Sequence, residues 1–133
     1  GMASYRLFHL DGAALNDAGR DEDLFQVSFG DADAARLIAL ADAGYYRVAA
    51  RFEADPKTEA AHIMEQIWVA TQNIDTEGWA DAPAPDVAPS APRQRSTSVG
   101  DLVVTPDGRL YVCARIGWRE IGAAPAALTP AAA

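Results

Sequence analysis

Between Asp101 and Ile121 the chain reads Asp-Leu-Val-Val-Thr-Pro-Asp-Gly-Arg-Leu-Tyr-Val-Cys-Ala-Arg-Ile-Gly-Trp-Arg-Glu-Ile. Few arrangements suit such a stretch. Thr105-Pro106-Asp107-Gly108 places Pro second and Gly fourth, as a type I turn prefers. Gly117-Trp118 makes a second corner. Short strands over 101–105, 110–115 and 118–121 follow, and together they predict a C-terminal antiparallel β-meander. Arg95-Ser96-Thr97-Ser98 is its polar lead-in.

Upstream, Tyr5 to Leu10 carries apolar groups on both faces and reads as a buried strand. Residues 11–23, rich in Asp, Gly, Ala and Asn, read as a loop. Phe25, Val27 and Phe29 alternate and predict a second strand over 24–29. Asp31 caps a helix through Ala43, with Ala34, Leu37, Ile38 and Ala41 as its buried stripe. Tyr45 to Glu53 reads as a strand, with Tyr46, Val48, Ala50 and Phe52 on one side. Asp55-Pro56 opens a helix to about Gln72, on which Ala60, Ile63, Met64, Ile67, Trp68 and Thr71 share a face. That helix, with Trp68 in its stripe, is expected to be the centre of the core.

The segment 24–53 would then be a βαβ unit with parallel strands. The expected fold is a single α+β domain over 4–121, with a mixed sheet, two helices on one face and the C-terminal meander. Residues 80–95 hold four Ala-Pro pairs and predict a Pro-rich surface loop, ordered only if Trp79 or Val87 anchors it. The Ala/Pro-rich residues 122–133 predict a disordered tail whose removal leaves stability unchanged.

The 133 residues suit one domain, and the formal net charge is −8. That charge disfavours phosphate backbones and anionic membrane surfaces, so neither nucleic acid nor membrane is an expected partner. The sequence shows neither a long apolar span nor a signal-peptide pattern. A soluble cytoplasmic bacterial protein is the expectation. The single Cys113 and the widely spaced His9 and His62 match no metal-site spacing, and no motif calls for a cofactor. The sequence specifies no oligomeric state.

Chemistry-bearing residues concentrate in two places. Asn73, Asp75 and Trp79 follow the long helix. They read as a helix stop with an aromatic lid, or as polar fingers beside an indole on a pocket rim. Arg95, Ser96 and Ser98 lead into Asp101. Arg95 either pairs with Asp101 or holds an anion, while the serines shape the loop. Trp118 reads as a core-covering aromatic at a strand corner, or as part of the same surface. Cys113 reads as a buried small apolar residue rather than a nucleophile. Arg93, Arg95, Arg115 and Arg119 would support nucleic-acid association only as an arginine face free of carboxylates. Together these features point to a non-enzymatic protein- or peptide-binding module. The alternatives are a small hydrolase using Asp75 or Asp101 with a serine, and local nucleic-acid association.

Tyr5-Arg6-Leu7-Phe8, Asn73-Ile74-Asp75 with Trp79, Arg95 to Asp101, and Gly117-Trp118 together resemble the YodL-like group of small bacterial domains. That group pairs a Tyr-Arg-Val/Leu-Tyr/Phe opening strand with an Asn-Ile/Val after the last helix. A Ser-x-Ser-Val-x-Asp-Val-Val strand follows, and a Gly-Phe/Trp closes it near a Tyr-x-Val-Cys/Asp segment. The likeness covers about residues 4–121, with the Pro-rich insert at 80–93 and the acidic loop at 11–23 as departures. It implies a binding or accessory module associated with plasmids and other mobile elements, for which no activity is established.

Overall fold

Strand β1 (Ala3–Leu10) lies inside the sheet, and its sequence shows why. Tyr5 and Leu7 point to one face and Phe8 and Leu10 to the other, and all four are buried. Such a strand needs cover on both sides. The computed structural model, which describes residues 1–74 and 77–129, supplies that cover. Its sheet has six strands in the order β3-β2-β1-β4-β5-β6, where β2 is Tyr46–Ala54, β3 Val87–Pro89, β4 Leu102–Val104, β5 Arg109–Cys113 and β6 Trp118–Ala123. Every pairing among the described residues is antiparallel. The fold is α+β, and β4 to β6 form the C-terminal meander. Its first turn closes with Gly108 N–H donating to the Thr105 carbonyl at 3.0 Å.

The parallel βαβ unit does not exist. Residues 11–28 form helices α1 (Gly12–Asp17) and α2 (Asp21–Ser28) instead of a loop and a strand. Local chemistry supports both helices. Asp11 Oδ1 accepts from Ala14 N–H at 3.0 Å and caps α1. Asp21, Glu22 and Asp23 place negative charge at the start of α2, where the helix dipole favours it. The alternation of Phe25, Val27 and Phe29 misleads because positions four apart also meet on a helix. Phe25 and Phe29 stack at 4.5 Å on the outside, while Val27 is buried. Helix α3 (Ala34–Asp42) is capped by Asp33 rather than Asp31, through an Arg36 N–H bond of 2.9 Å to its carboxylate.

The helices cover both faces rather than one. Leu15, Val27, Leu37 and Leu40 from α1 to α3 pack with Phe8, Leu10, Leu102 and Leu110. Helix α4 (Ala60–Ala70) packs Ile63, Met64 and Ile67 against Tyr5, Leu7, Phe52 and Val103 on the opposite face. This helix is shorter than the 56–72 expectation. Asp55 instead stabilises a preceding turn, accepting from Lys57 N–H at 2.9 Å. Trp68 is only half-buried, so the core of α4 rests on Ile67 and Met64.

A bulge explains the split loyalty of β2. Leu7 pairs with Ala50 and Phe8 with Val48, so Ala49 is the extra residue. It inverts the alternation: Tyr46 joins the α1–α3 side, whereas Ala50, Phe52 and Ala54 join the α4 side. Val48 is left exposed.

Two proline-rich expectations also change. The 80–95 stretch is largely exposed, but β3 pairs with the edge of β2, and Trp79 is buried while Val87 packs on the α4-side core. Residues 122–129 belong to the fold rather than to a disordered tail. β6 continues to Ala123, a short 3-10 helix spans Ala126–Leu128, and Leu128 is buried in the α1–α3 core. The Arg6 guanidinium donates to the Leu128 carbonyl.

Candidate functional site

The loop that enters β4 is built around Asp101, whose side chain is 1% exposed. Arg95 meets it with a two-pronged ion pair, Nη1 to Oδ2 at 2.7 Å and Nη2 to Oδ1 at 2.8 Å. The same guanidinium donates to the Ser96 and Leu10 carbonyls, each at 2.9 Å. Asp101 also accepts from Leu10 N–H at 2.9 Å and from Ser98 N–H at 2.7 Å. One carboxylate thus ties the end of β1, the 95–98 loop and the start of β4 together. Burial works against the Arg95 charge, but its bonds to Asp101 and that residue's charge outweigh it and raise the guanidinium pKa.

A second chain of bonds runs beneath this clasp. Thr71 Oγ1 lies 2.7 Å from both the Ile67 carbonyl and Thr97 Oγ1. The carbonyl can only accept, so the single Thr71 proton is spent there and the Thr97 hydroxyl donates to Thr71. Thr97 Oγ1 therefore accepts from His9 Nε2–H at 3.0 Å, which assigns the His9 tautomer. Burial pushes His9 down to about 4; the Asp101 charge opposes the shift and the Arg95 charge adds to it. Burial, then the Asp101 charge, raise the Tyr46 phenol well above its ordinary range, and it donates to the Gly100 carbonyl at 2.6 Å. Gly100 has φ +95°, and a Cβ there would stand 2.2 Å from Val27 Cγ1, so only glycine fits.

Asn73 and Trp79 lock onto the same loop from the end of α4. Asn73 N–H donates to Ser96 Oγ at 2.8 Å, and its side-chain amide donates to the Gln94 carbonyl at 2.9 Å. Asn73 Oδ1 accepts from Trp79 N–H, and the Trp79 indole N–H donates to the Arg95 carbonyl, both at 2.8 Å. The structure thus brings Asn73, Trp79, Arg95, Ser96, Ser98 and Asp101 together. Trp118 is not among them; it borders a separate cavity between α4 and the β5–β6 turn. Asp75 lies outside the described residues. Sequence reasoning missed His9, Tyr46, Thr71, Thr97 and Gln94. A histidine among the apolar residues at the end of a buried strand was the one available signal.

This arrangement is poor catalytic equipment. A relay of the Ser-His-Asp kind needs its carboxylate on the imidazole nitrogen opposite the nucleophile. Here Asp101 lies 3.8 Å from Nε2, the nitrogen that already bonds Thr97. Both Asp101 oxygens are occupied, and the Thr97 proton points inward. Burial, then the charges of Asp101 and Glu65, push the Cys113 thiol up to about 12, so it carries little thiolate. Among the described residues no group of three His, Cys, Asp or Glu side chains could hold a metal ion. Nor is any helix there long and apolar enough to cross a membrane.

The four arginines near the last strands do not form a carboxylate-free face. Arg95 holds Asp101, Arg115 lies 3.8 Å from Asp31, and Arg119 donates to the Ala32 carbonyl at 3.1 Å. Beside the clasp, Ala70, Gln72, Ile74, Glu77 and Trp79 border an open concavity of about 560 Å³. Ile74 on its rim is 81% exposed, and Val69 on the same end of α4 is 68% exposed. Comparison with family models, with curated proteins and with solved structures finds no match for this chain.

Proposed function

We propose that this chain is a non-enzymatic binding module that presents the concavity beside Trp79 to a protein or peptide partner. One observation carries the reading: the Arg95–Asp101 pair and the Thr97 hydroxyl are spent inside the chain, while the Ile74 side chain on the adjoining rim is turned to solvent. Arg95 and Asp101 are then the mount, and the surface around residues 72–84 is what a partner meets. Asn73 joins the two, since it bonds both the Gln94 carbonyl and Trp79. Ile74 and Val69, both exposed at the same end of α4 and beside a concavity, suit a partner's apolar contact.

The resemblance to the YodL-like group points the same way, and kinship with it is part of this proposal, as is a cytoplasmic setting. The hydrolase alternative loses support because Asp101 has no free oxygen to offer a serine or water. Nucleic acid is a less suitable partner for a chain of net charge −8 whose arginines stand beside carboxylates and carbonyls.

Ile74→Asp tests the reading. The side chain is exposed, so stability should stay within about 0.5 kcal/mol of the parent. Capture of cellular partners from a bacterial lysate should be lost. Unchanged capture by a folded Ile74→Asp variant would remove the proposal.

A further inference from the structure

Glu65 and Trp68 stand three residues apart on α4 and therefore share one side of that helix. Across a gap, the β5–β6 turn presents Trp118. Together with Val99, Cys113 and Gly117 they enclose a cavity of about 210 Å³. Both indoles are half-buried. Their ring N–H groups differ from that of Trp79, whose N–H is the only one of the three with a partner among the described residues. Glu65 is exposed, and its carboxylate has neither an ion pair nor a hydrogen bond among the described residues. Its charge nevertheless reaches the cavity wall, because it contributes to raising the Cys113 thiol.

Arg115 borders the same cavity and is the obvious internal counterion, but no ion pair joins it to Glu65 among the described residues. Its side chain runs against Gly30, and its Nη2 lies 3.8 Å from Asp31. An unmatched carboxylate beside two indoles is suited to a cation, because tryptophan is the strongest aromatic partner for one and the carboxylate supplies the countercharge. Size narrows the occupant. Pockets for drug-sized ligands usually begin at about 300 Å³, so this one suits a single side chain. The net charge of −8 adds long-range attraction for a basic partner.

We propose that the cleft between Trp68 and Trp118 receives one basic side chain, lysine or arginine, from a protein partner, with Glu65 as its counterion. The site shares no lining residue with the concavity beside Trp79 and does not depend on it.

The probes are a capped Gly-Gly-Arg-Gly-Gly peptide and its neutral citrulline counterpart, titrated into the full chain. The indole N–H resonances are followed and assigned with Trp68→Phe and Trp118→Phe variants. The arginine peptide should shift the Trp68 and Trp118 signals with low-millimolar affinity, weakening as salt is added, and the citrulline peptide should not. Glu65→Gln should weaken binding about fivefold, the scale of one partly exposed charge contact. Ile74→Asp should leave it unchanged, which separates this site from the Trp79 concavity. Absent shifts, equal shifts with both peptides, or salt-independent binding in the parent would overturn the proposal. The salt series decides the matter even if Glu65→Gln fails to fold.

Discussion

Two regions of this molecule hold similar residues and use them in opposite ways. At the entrance to β4, Asp101 and Arg95 meet beside the Trp79 indole, and almost every polar atom is matched within the chain. Between α4 and the β5–β6 turn, Glu65 stands beside Trp68 and Trp118, and neither the carboxylate nor the indole N–H groups have a partner among the described residues. Composition alone would rank the first region as the better binding site, since it has more hydroxyls, an arginine and an amide. Geometry reverses the order. A polar group available to a ligand is one whose bonding capacity is unspent, and burial decides that. The Arg95–Asp101 region therefore acts as a fastener, and the Glu65 cleft is open to a guest.

The sharpest way to break this comparison is to cut the fastener. Asp101→Ala leaves the Arg95 guanidinium and the Leu10 and Ser98 N–H groups without their shared acceptor. It should lower stability by about 3–5 kcal/mol, as for the removal of one partner of a buried ion pair. A chemical-denaturation midpoint close to the parent's would show that the clasp is dispensable.

Acid should loosen the same region. The His9 pKa is lower in the folded chain than in the unfolded one, so protonation favours unfolding. The neutral ring's contribution is fully present above about pH 6.5 and is lost as pH falls through about 4. The loss should approach roughly 3 kcal/mol at the acid end. A His9→Gln variant should show a correspondingly flatter stability profile between those limits. Profiles of equal slope in the two proteins would show that His9 does not titrate as its buried setting requires.

Thr97→Val sharpens the comparison at smaller scale. It strips the hydroxyl between His9 and Thr71 while keeping the shape, and should cost about 1–3 kcal/mol in thermal or chemical melts. No loss would mean that water replaces the hydroxyl.

What the sequence disclosed follows the same division between local and long-range causes. The meander was legible because Pro106 and Gly108 act within their own turn and the flanking runs are short and largely apolar. Strand β1 was legible because apolar groups on both faces leave few alternatives to an interior position. Helices α1 and α2 were not. Helix α1 is six mostly small residues held by one side-chain cap, α2 has no side-chain cap, and Phe25 and Phe29 mimic a strand. The bulge at Ala49 was hidden because alternation is counted without knowing where it slips. The tail looked featureless because one residue, Leu128, supplies its buried anchor. At the site, Arg95 and Asp101 could be picked out as a candidate pair from their spacing. The roles of Tyr46, Thr71 and Thr97 could not, because each bonds to a group far away in the chain.

The most direct test of the account sets the two regions side by side in one denaturation series. Arg95→Ala and Glu65→Gln each alter one member of a carboxylate-centred site. The arginine is half-exposed, but its removal leaves a buried carboxylate without its countercharge, so a loss of about 2 kcal/mol is expected. Glu65→Gln should stay within about 0.5 kcal/mol of the parent, because the residue is exposed and its charge stabilises nothing inside the fold. That asymmetry is the predicted result. An Arg95→Ala midpoint equal to the parent's, with Glu65→Gln clearly destabilised, would contradict the assignment of one region as fastener and the other as open site.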